Sequence, residues 1–518
     1  MLLLSPTTPV LVGAAQFTER LDDPDYEALS PVDITARAAQ LAFKDCGNEG
    51  ISAVIDTIMT ARTFEDSTPF LAFPHGCSNN FPRSVCKRLN IAPAEAIWAM
   101  SGGDSPQKLV VEACEKIAQG CATGVLICGG EAMSTAGALV KSGQKVDWSE
   151  TLDEPVDDRG TGIDYVHHDE IAHGVITPPL FHGLIENARR GQSHCHSQAW
   201  INGMAALFAP FSKVAADNPY SCQPGVRYSP TELSAISLDN RFIAHPYPQR
   251  LIARDKVNQS AALVVVSTAL ADTLKIPTQQ RIYLKGYAHA RERAVIERPN
   301  LGEAESAGLA LKAALNAAHV ALDDIALFDF YSCFPVAVIN AISAIGLAAD
   351  DPRGLTVTGG LPYFGGPGNN YSMHAIAEMV HRLRKGTGLY GLVAANGGFL
   401  SKYAVGIYSS DACEFTVCDN AALQQVLDER PVPSLNRAPK GRGHIETYTL
   451  GYNRDGLATS AIIVGRLQAT AERFIAMTPK DDRLIAKDLA STEPLHRLVE
   501  VTASDVGNYF QLLDEPSE

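Results

Sequence analysis

Tryptophan and charge are both scarce in this sequence: three tryptophans in 518 residues, and 19% Asp, Glu, Lys and Arg. There is no basic run, no Cys-x-x-Cys, and no apolar run of the ~18 residues that a membrane-crossing helix needs. Each absence excludes something. Disordered chains combine low hydrophobicity with high charge, whereas this one is 46% apolar. A net charge of −15 without a lysine- or arginine-rich segment excludes a large nucleic-acid footprint. Eleven scattered cysteines, an odd number without paired spacing, read as reduced thiols and not as a disulfide framework. The opening Met1-Leu2-Leu3-Leu4-Ser5-Pro6 is too short for a signal core and lacks its basic start. Pro516-Ser517-Glu518 is not a peroxisomal address. A cytoplasmic protein without a membrane span is expected, with two or three domains at ~100–200 residues each.

What is present is a repeated order of elements. In the first half the spacing of Ile34, Ala38, Leu41 and Ala42 predicts a helix near 32–46, ended by Gly47. A strand near 53–59 follows, then a helix near 105–118 with Pro106 in its first turn. A strand near 124–128 then closes on Gly129-Gly130. The second half repeats this with a helix near 304–318, a strand near 325–330, a helix near 372–384 and a strand near 391–395 closing on Gly397-Gly398. Two similar βαβ-rich halves, residues 1–270 and 271–415, predict a layered α/β fold. The first half carries an insertion over about residues 135–250, marked by Pro178-Pro179, Asn218-Pro219 and Pro246-Tyr247-Pro248. A buried strand near 261–267 and another near 281–287 follow it. Beyond Pro431, Pro433 and Pro439, runs near 444–450 and 458–464 flank the hairpin signal Asn453-Arg454-Asp455-Gly456. With a further run near 499–502, residues 430–518 read as a small all-β, OB-like barrel.

Chemistry is expected at strand ends, where α/β sheets collect their sites. Cys333, in Tyr331-Ser332-Cys333-Phe334-Pro335, follows a buried strand and precedes a helix. A helix N-terminus or a histidine lowers a thiol pKa, so Cys333 is a candidate nucleophile or acid; a buried structural cysteine is the competing reading. The glycine-rich stretch Gly359–Tyr371 does not fit G-x-x-x-x-G-K-[ST]. Such glycines let backbone approach a ligand, and the helix that follows favours anions, which makes Gly366, Pro367 and Asn370 candidate substrate contacts. His374, in the first turn of that helix, is the candidate general base. Asn396, beside Gly397 and Gly398, is a candidate oxyanion donor. Ser101-Gly102-Gly103-Asp104-Ser105 is the corresponding loop of the first half; it lacks G-x-G-x-x-G, and Ser101 is a further candidate contact. His194-Cys195-His196 and His167-His168 match no zinc spacing, so no metal is expected.

At these motifs the chain resembles the thiolase superfamily over about residues 8–410. The resemblance rests on Val10-Leu11-Val12-Gly13-Ala14-Ala15-Gln16-Phe17, on Gly129-Gly130-Glu131-Ala132-Met133-Ser134 and on the duplicated halves. The C-terminal addition is similar to that of thiolase-like proteins labelled acetyl-CoA acetyltransferase. The resemblance implies an α/β/α/β/α fold under a loop domain that binds coenzyme A, and a homodimer. Thiolases use a nucleophilic cysteine and the motifs Asn-Glu-Ala-Phe, Gly-His-Pro and Cys-x-Gly. Here the nucleophile's place, after Ile97-Trp98-Ala99, holds Met100 or Ser101. Asn-Glu-Ala-Phe becomes Tyr331-Ser332-Cys333-Phe334, where Cys333 matches the cysteine of the His-Asp-Cys-Phe of sterol-carrier-type thiolases. Gly365-Gly366-Pro367 loses the histidine, and Ala395-Asn396-Gly397 loses the cysteine.

The implied activity is acyl transfer, thiolysis or Claisen-type condensation of acyl-CoA thioesters at a site rewired around Cys333, His374 and Asn396. Coenzyme A is then a substrate or product, and no cofactor is bound permanently. Arg189, Arg190 and Lys213 of the insertion are candidates for its diphosphate by position alone. The alternative is a non-catalytic acyl-CoA or lipid-binding thiolase-like protein.

Overall fold

Local signals place the first elements. Ser30 caps α1 (Pro31–Asp45), its side chain accepting the Asp33 N–H, with Pro31 in the first turn. Gly47 beyond its end takes a φ of +69°, which a side chain would resist. The computed structural model describes residues 4–68, 73–162, 165–479 and 483–513; Met1–Leu3 and Pro516–Glu518, read above for targeting, lie outside it.

The first half runs β1 (Pro9–Thr18), α1, β2 (Thr57–Thr60), α2 (Phe81–Leu89), β3 (Glu95–Trp98), α3 (Ser105–Ala118) and β4 (Gly124–Ala132). The insertion contributes α4 (Pro178–Gln192), α5 (Ser197–Asp217) and the short β5 (Phe242–Ala244), and β6 (Asn258–Ser267) returns to the sheet. The second half runs β7 (Tyr283–Arg291), α6 (Glu305–Ala318), β8 (Ile325–Phe330), α7 (Pro335–Ile345), α8 (Tyr371–Arg384), β9 (Tyr390–Gly397) and β10 (Lys402–Ser409). The strand expected near 53–59 is shorter: Ile51–Val54 forms a 3-10 turn after Gly50, and only Thr57–Thr60 enters the sheet.

The duplication is written in the hydrogen bonding. In the first sheet, ordered β1-β6-β4-β2-β3 with Asp157–Asp158 at its edge, β6 is antiparallel to both neighbours and β2 parallel to both. In the second, ordered β7-β10-β9-β8, β10 is antiparallel to both neighbours and β9 parallel to β8. The counterpart of β3 is an irregular extended segment. Leu355 carbonyl accepts the Phe330 N–H at 3.1 Å, and the buried Asp329 carboxylate accepts the N–H groups of Val357 and Thr358. Helices α3 and α8 pack against both sheets, α1 and α2 cover the first, and α6 covers the second. This is the expected α/β/α/β/α layering. β6, covered on both faces, is buried from Asn258 to Val266.

The C-terminal region begins with α9 (Asn420–Asp428), followed by β11 (Lys440–Tyr452), β12 (Ala458–Leu467), β13 (Arg473–Met477), α10 (Arg483–Ser491), β14 (Leu498–Ser504) and β15 (Gly507–Leu512). Five strands close as β11-β12-β13-β15-β14-β11, with a parallel pair at Met477 and Tyr509 and α10 between the third and fourth strands. This is the OB-like arrangement.

The barrel is fastened to the rest. Gly451 of β11 pairs with Ala244 of β5. Arg190, 1% exposed, donates to both Glu493 oxygens at 2.6 and 2.8 Å. From the barrel, Arg473 donates to the carbonyls of Ile296 at 2.9 Å and Arg298 at 2.6 Å.

Arg190 is buried but its partner Glu493 is 43% exposed, so the charge left behind when the pair is broken stays in water. Arg190→Leu, which loses this pair and the bonds to the Cys195 carbonyl and Tyr448 Oη, is therefore expected to destabilise the chain by about 1–2 kcal/mol in urea unfolding; an unchanged midpoint would show that the clasp is idle.

Candidate active site

The site is built where three segments meet: the β8–α7 turn, the end of β9, and α4 of the insertion. Pro178-Pro179, one of the marks of the insertion, is the first turn of α4. That helix carries Phe181, His182, Gly183, Glu186 and Asn187 into the interior. Gly183 is needed for its close approach: a Cβ there would lie 2.5 Å from Thr449 Oγ1 and 2.7 Å from the His245 carbonyl oxygen.

His182 lies against Cys333. Its Nδ1 is 2.8 Å from the Pro178 carbonyl oxygen, which can only accept, so Nδ1 carries the proton. Nε2 then presents its lone pair to the Cys333 thiol, with Sγ at 3.8 Å. The ring is clamped by Phe334, stacked at 4.0 Å between centroids, and by the edge of Phe399 at 6.0 Å, itself stacked on Phe181. Burial pushes His182 down to about 3, so the imidazole is neutral at pH 7.

The expected lowering of the thiol pKa is not found. Burial pushes Cys333 up to about 12; the N–H groups of Phe334 and Cys333 and the Asn396 amide pull it down by less. A helix end is worth ~2 kcal/mol at best, and desolvation of a fully buried group moves a pKa by up to ~3–5 units. The end of α7 is also shared. Glu186, buried on α4, accepts the Val336 N–H in the first turn of α7, together with Trp200 Nε1 at 2.7 Å and Tyr247 Oη at 2.8 Å. Burial raises this carboxyl to about 7. At neutral pH the pair is thus a thiol and an imidazole, both uncharged.

Asn396, at the end of β9, aims Nδ2 at Cys333 Sγ from 4.0 Å, and its buried Oδ1 has no partner. The Gly397 turn interlocks with the Ser101–Ser105 loop. A Cβ on Gly397 would sit 2.2 Å from Asp104 Oδ1, and one on Gly103 would sit 2.5 Å from the Asn396 carbonyl oxygen. Gly398 takes a φ of +64°. Ser101 Oγ donates to Ser67 Oγ at 2.9 Å, and Met100 is partly exposed.

Other expectations are corrected. His374 is not the histidine at Cys333. Its Nδ1–H donates to Gln16 Oε1 of β1 at 3.0 Å, Phe364 packs on its ring, and burial holds it near 3. The glycine-rich loop spends its N–H groups within the protein: Gly366 donates to the Arg254 carbonyl and Gly368 to that of Gly366. Its glycines serve packing, since a Cβ on Gly359 would meet Ala215 at 2.4 Å and one on Gly365 would meet Gln259 at 2.2 Å. Pro367 precedes the single 3-10 turn Gly368–Asn370, and Asn370 Nδ2 donates to the Gly129 carbonyl at 2.7 Å. Arg190 is occupied by Glu493 and Arg189 donates to Ser343 Oγ at 2.8 Å, while Lys213 is exposed on α5. His167 caps a short helix by accepting the Asp169 N–H. Among the described residues, no three His, Cys, Asp or Glu side chains are grouped to hold a metal ion, and no helix is long and apolar enough to cross a membrane.

Sequence reasoning missed His182 and Glu186. The signal was present in Pro178-Pro179 followed by buried positions at helical spacing.

A thiol held near 12 reacts with iodoacetamide only through a rare thiolate. The alkylation rate of Cys333, followed by peptide mass, is expected to rise about tenfold per pH unit from 7 to 9; a plateau beginning below pH 8 would contradict the burial argument.

With this geometry in hand, the relatives are informative. The family model described as the thiolase-like protein type 1 additional C-terminal domain matches residues 422–505. No curated protein matches the chain in sequence. A monomeric SCP2-thiolase-like protein type 1 from Mycobacterium smegmatis is 39% identical, with a TM-score of 0.84 over 99% of this chain and 100% of that one. Acetyl-CoA acetyltransferase from Syntrophomonas wolfei (16% identity, TM-score 0.54, 78% of this chain and 99% of that one) shares the fold. So does human mitochondrial 3-ketoacyl-CoA thiolase (16%, 0.55, 79% and 100%). The chain belongs to the SCP2-thiolase-like proteins of type 1, thiolase-fold proteins that carry an additional C-terminal barrel.

Proposed function

We propose that the chain acts on acyl-CoA thioesters, with Cys333 and His182 moving a proton in acyl-transfer or Claisen-type chemistry. The observation that carries this reading is the contact of the Cys333 thiol with a neutral imidazole lone pair inside a thiolase-like fold. The Cys333 S–H proton passes to Nε2 of His182, and the imidazolium stays held through Nδ1–H to the Pro178 carbonyl. The thiolate takes a proton from the carbon beside the thioester carbonyl. The thioester oxygen gains charge as it does so, and the Asn396 amide donates to it. Cys333 then gives its proton to the enolate carbon, or to the coenzyme A thiolate released in a condensation, and the His182 proton returns to the Cys333 sulfur, which resets the pair. Coenzyme A is a substrate or product, and no permanently bound cofactor is invoked. Ser101, Gly397 and Gly398 border this centre through their interlocked loops, whereas His374, Gly366, Pro367 and Asn370 support the scaffold. A monomer is the assembly proposed, in place of the homodimer expected above, since the Mycobacterium smegmatis relative is described as monomeric.

A second reading, a non-catalytic acyl-CoA binder, is favoured by the lack of a cysteine at Met100 or Ser101, in the nucleophile's place, and by the burial of Cys333, 9% exposed.

Turnover of an acyl-CoA panel decides between them. Cys333→Ala and His182→Asn are each expected to lower kcat by about 10²–10⁴-fold, while His374→Gln stays within about threefold. A saturable thermal shift with acyl-CoA but no turnover by the wild-type chain would establish the binder instead.

A further inference from the structure

A cavity of about 380 Å³ lies between α4, α6, α7 and α9, and none of Cys333, His182 and Asn396 lines it. Its wall includes Arg298, only 1% exposed. Arg298 Nε donates to the Arg293 carbonyl at 3.0 Å, and Nη2 to the Phe399 carbonyl at 2.8 Å and Ser401 Oγ at 3.3 Å. Nη1 is buried and has no acceptor. A guanidinium keeps its protons, and buried donors are nearly always paired. The missing partner is therefore an acceptor.

Charge at the wall favours a negative one. Arg189 and Lys312 also line the cavity, with Lys312 exposed on α6. The acidic residues of the wall are engaged or peripheral. Glu292 accepts the N–H groups of Arg293 and Ser306, Glu305 pairs with Arg430, and Glu303 is exposed. We propose that this cavity binds a small oxyanion-bearing ligand, a carboxylate or a phosphate, held by Arg298 with Arg189 and Lys312. Its occupation bears on the reactive centre through one residue: Arg298 fixes the Phe399 carbonyl, and the Phe399 ring bounds His182. The inference stands whether or not the chain acts on acyl-CoA.

Thermal unfolding of the full chain tests it, with inorganic phosphate and, separately, succinate replacing chloride at constant ionic strength. At least one anion is expected to give a saturable rise in Tm, and which one does so identifies the ligand as phosphate or carboxylate. Arg298→Lys, which removes Nη1, is expected to abolish the rise. The double variant Arg189→Met/Lys312→Met, altered only at the cavity wall, is expected to weaken the midpoint about tenfold and decides the matter if Arg298→Lys does not fold. No rise beyond chloride with either anion, or an unchanged midpoint in the double variant, overturns the proposal.

Discussion

The seating of α4 is the constraint on which the rest depends. This one helix meets two bodies, the second half at α7 and the C-terminal barrel. His182 reaches the thiol at the mouth of α7, Glu186 takes the first-turn N–H of α7, and Arg190 grips the barrel through Glu493. Arg189 reaches the far end of α7 at Ser343. Gly183 lets the helix lie against β11 at a distance that no side chain would allow. A shift of α4 by half an ångström would disturb each of these together, because packed interiors transmit displacement. The barrel is thus more than an appendage: through Arg190 and the Gly451–Ala244 pairing it holds the insertion in register over the second half.

Burial outweighs the helix end at Cys333. A thiolate at rest would need a charge partner, and its nearest imidazole is itself held neutral by the same desolvation. An uncharged donor–acceptor pair suits proton movement better than standing nucleophilicity.

Much of the scaffold was legible. The limits expected for α3, with Pro106 in its first turn, and for β8 are the observed ones, and the strand–helix order revealed both halves. The irregular segment opposite β8 was not legible, because its partner is the side chain of Asp329 rather than a ladder. At the site, Cys333 and Asn396 were singled out because strand ends are visible in sequence, and the structure brings them within 4.0 Å of each other. His182 was not singled out, since a lone histidine among apolar residues gives no sign of what it faces. The glycine-rich loop misled for a related reason. Glycines that admit a ligand and glycines that admit Ala215 or Gln259 look alike until the neighbours are known.

The most direct test of the central claim is solvent deuterium incorporation at the carbon beside the thioester of acetyl-CoA, read by mass in D₂O. The account predicts exchange by the wild-type chain, lost in Cys333→Ala and strongly slowed in His182→Asn. Exchange that persists in Cys333→Ala would contradict it.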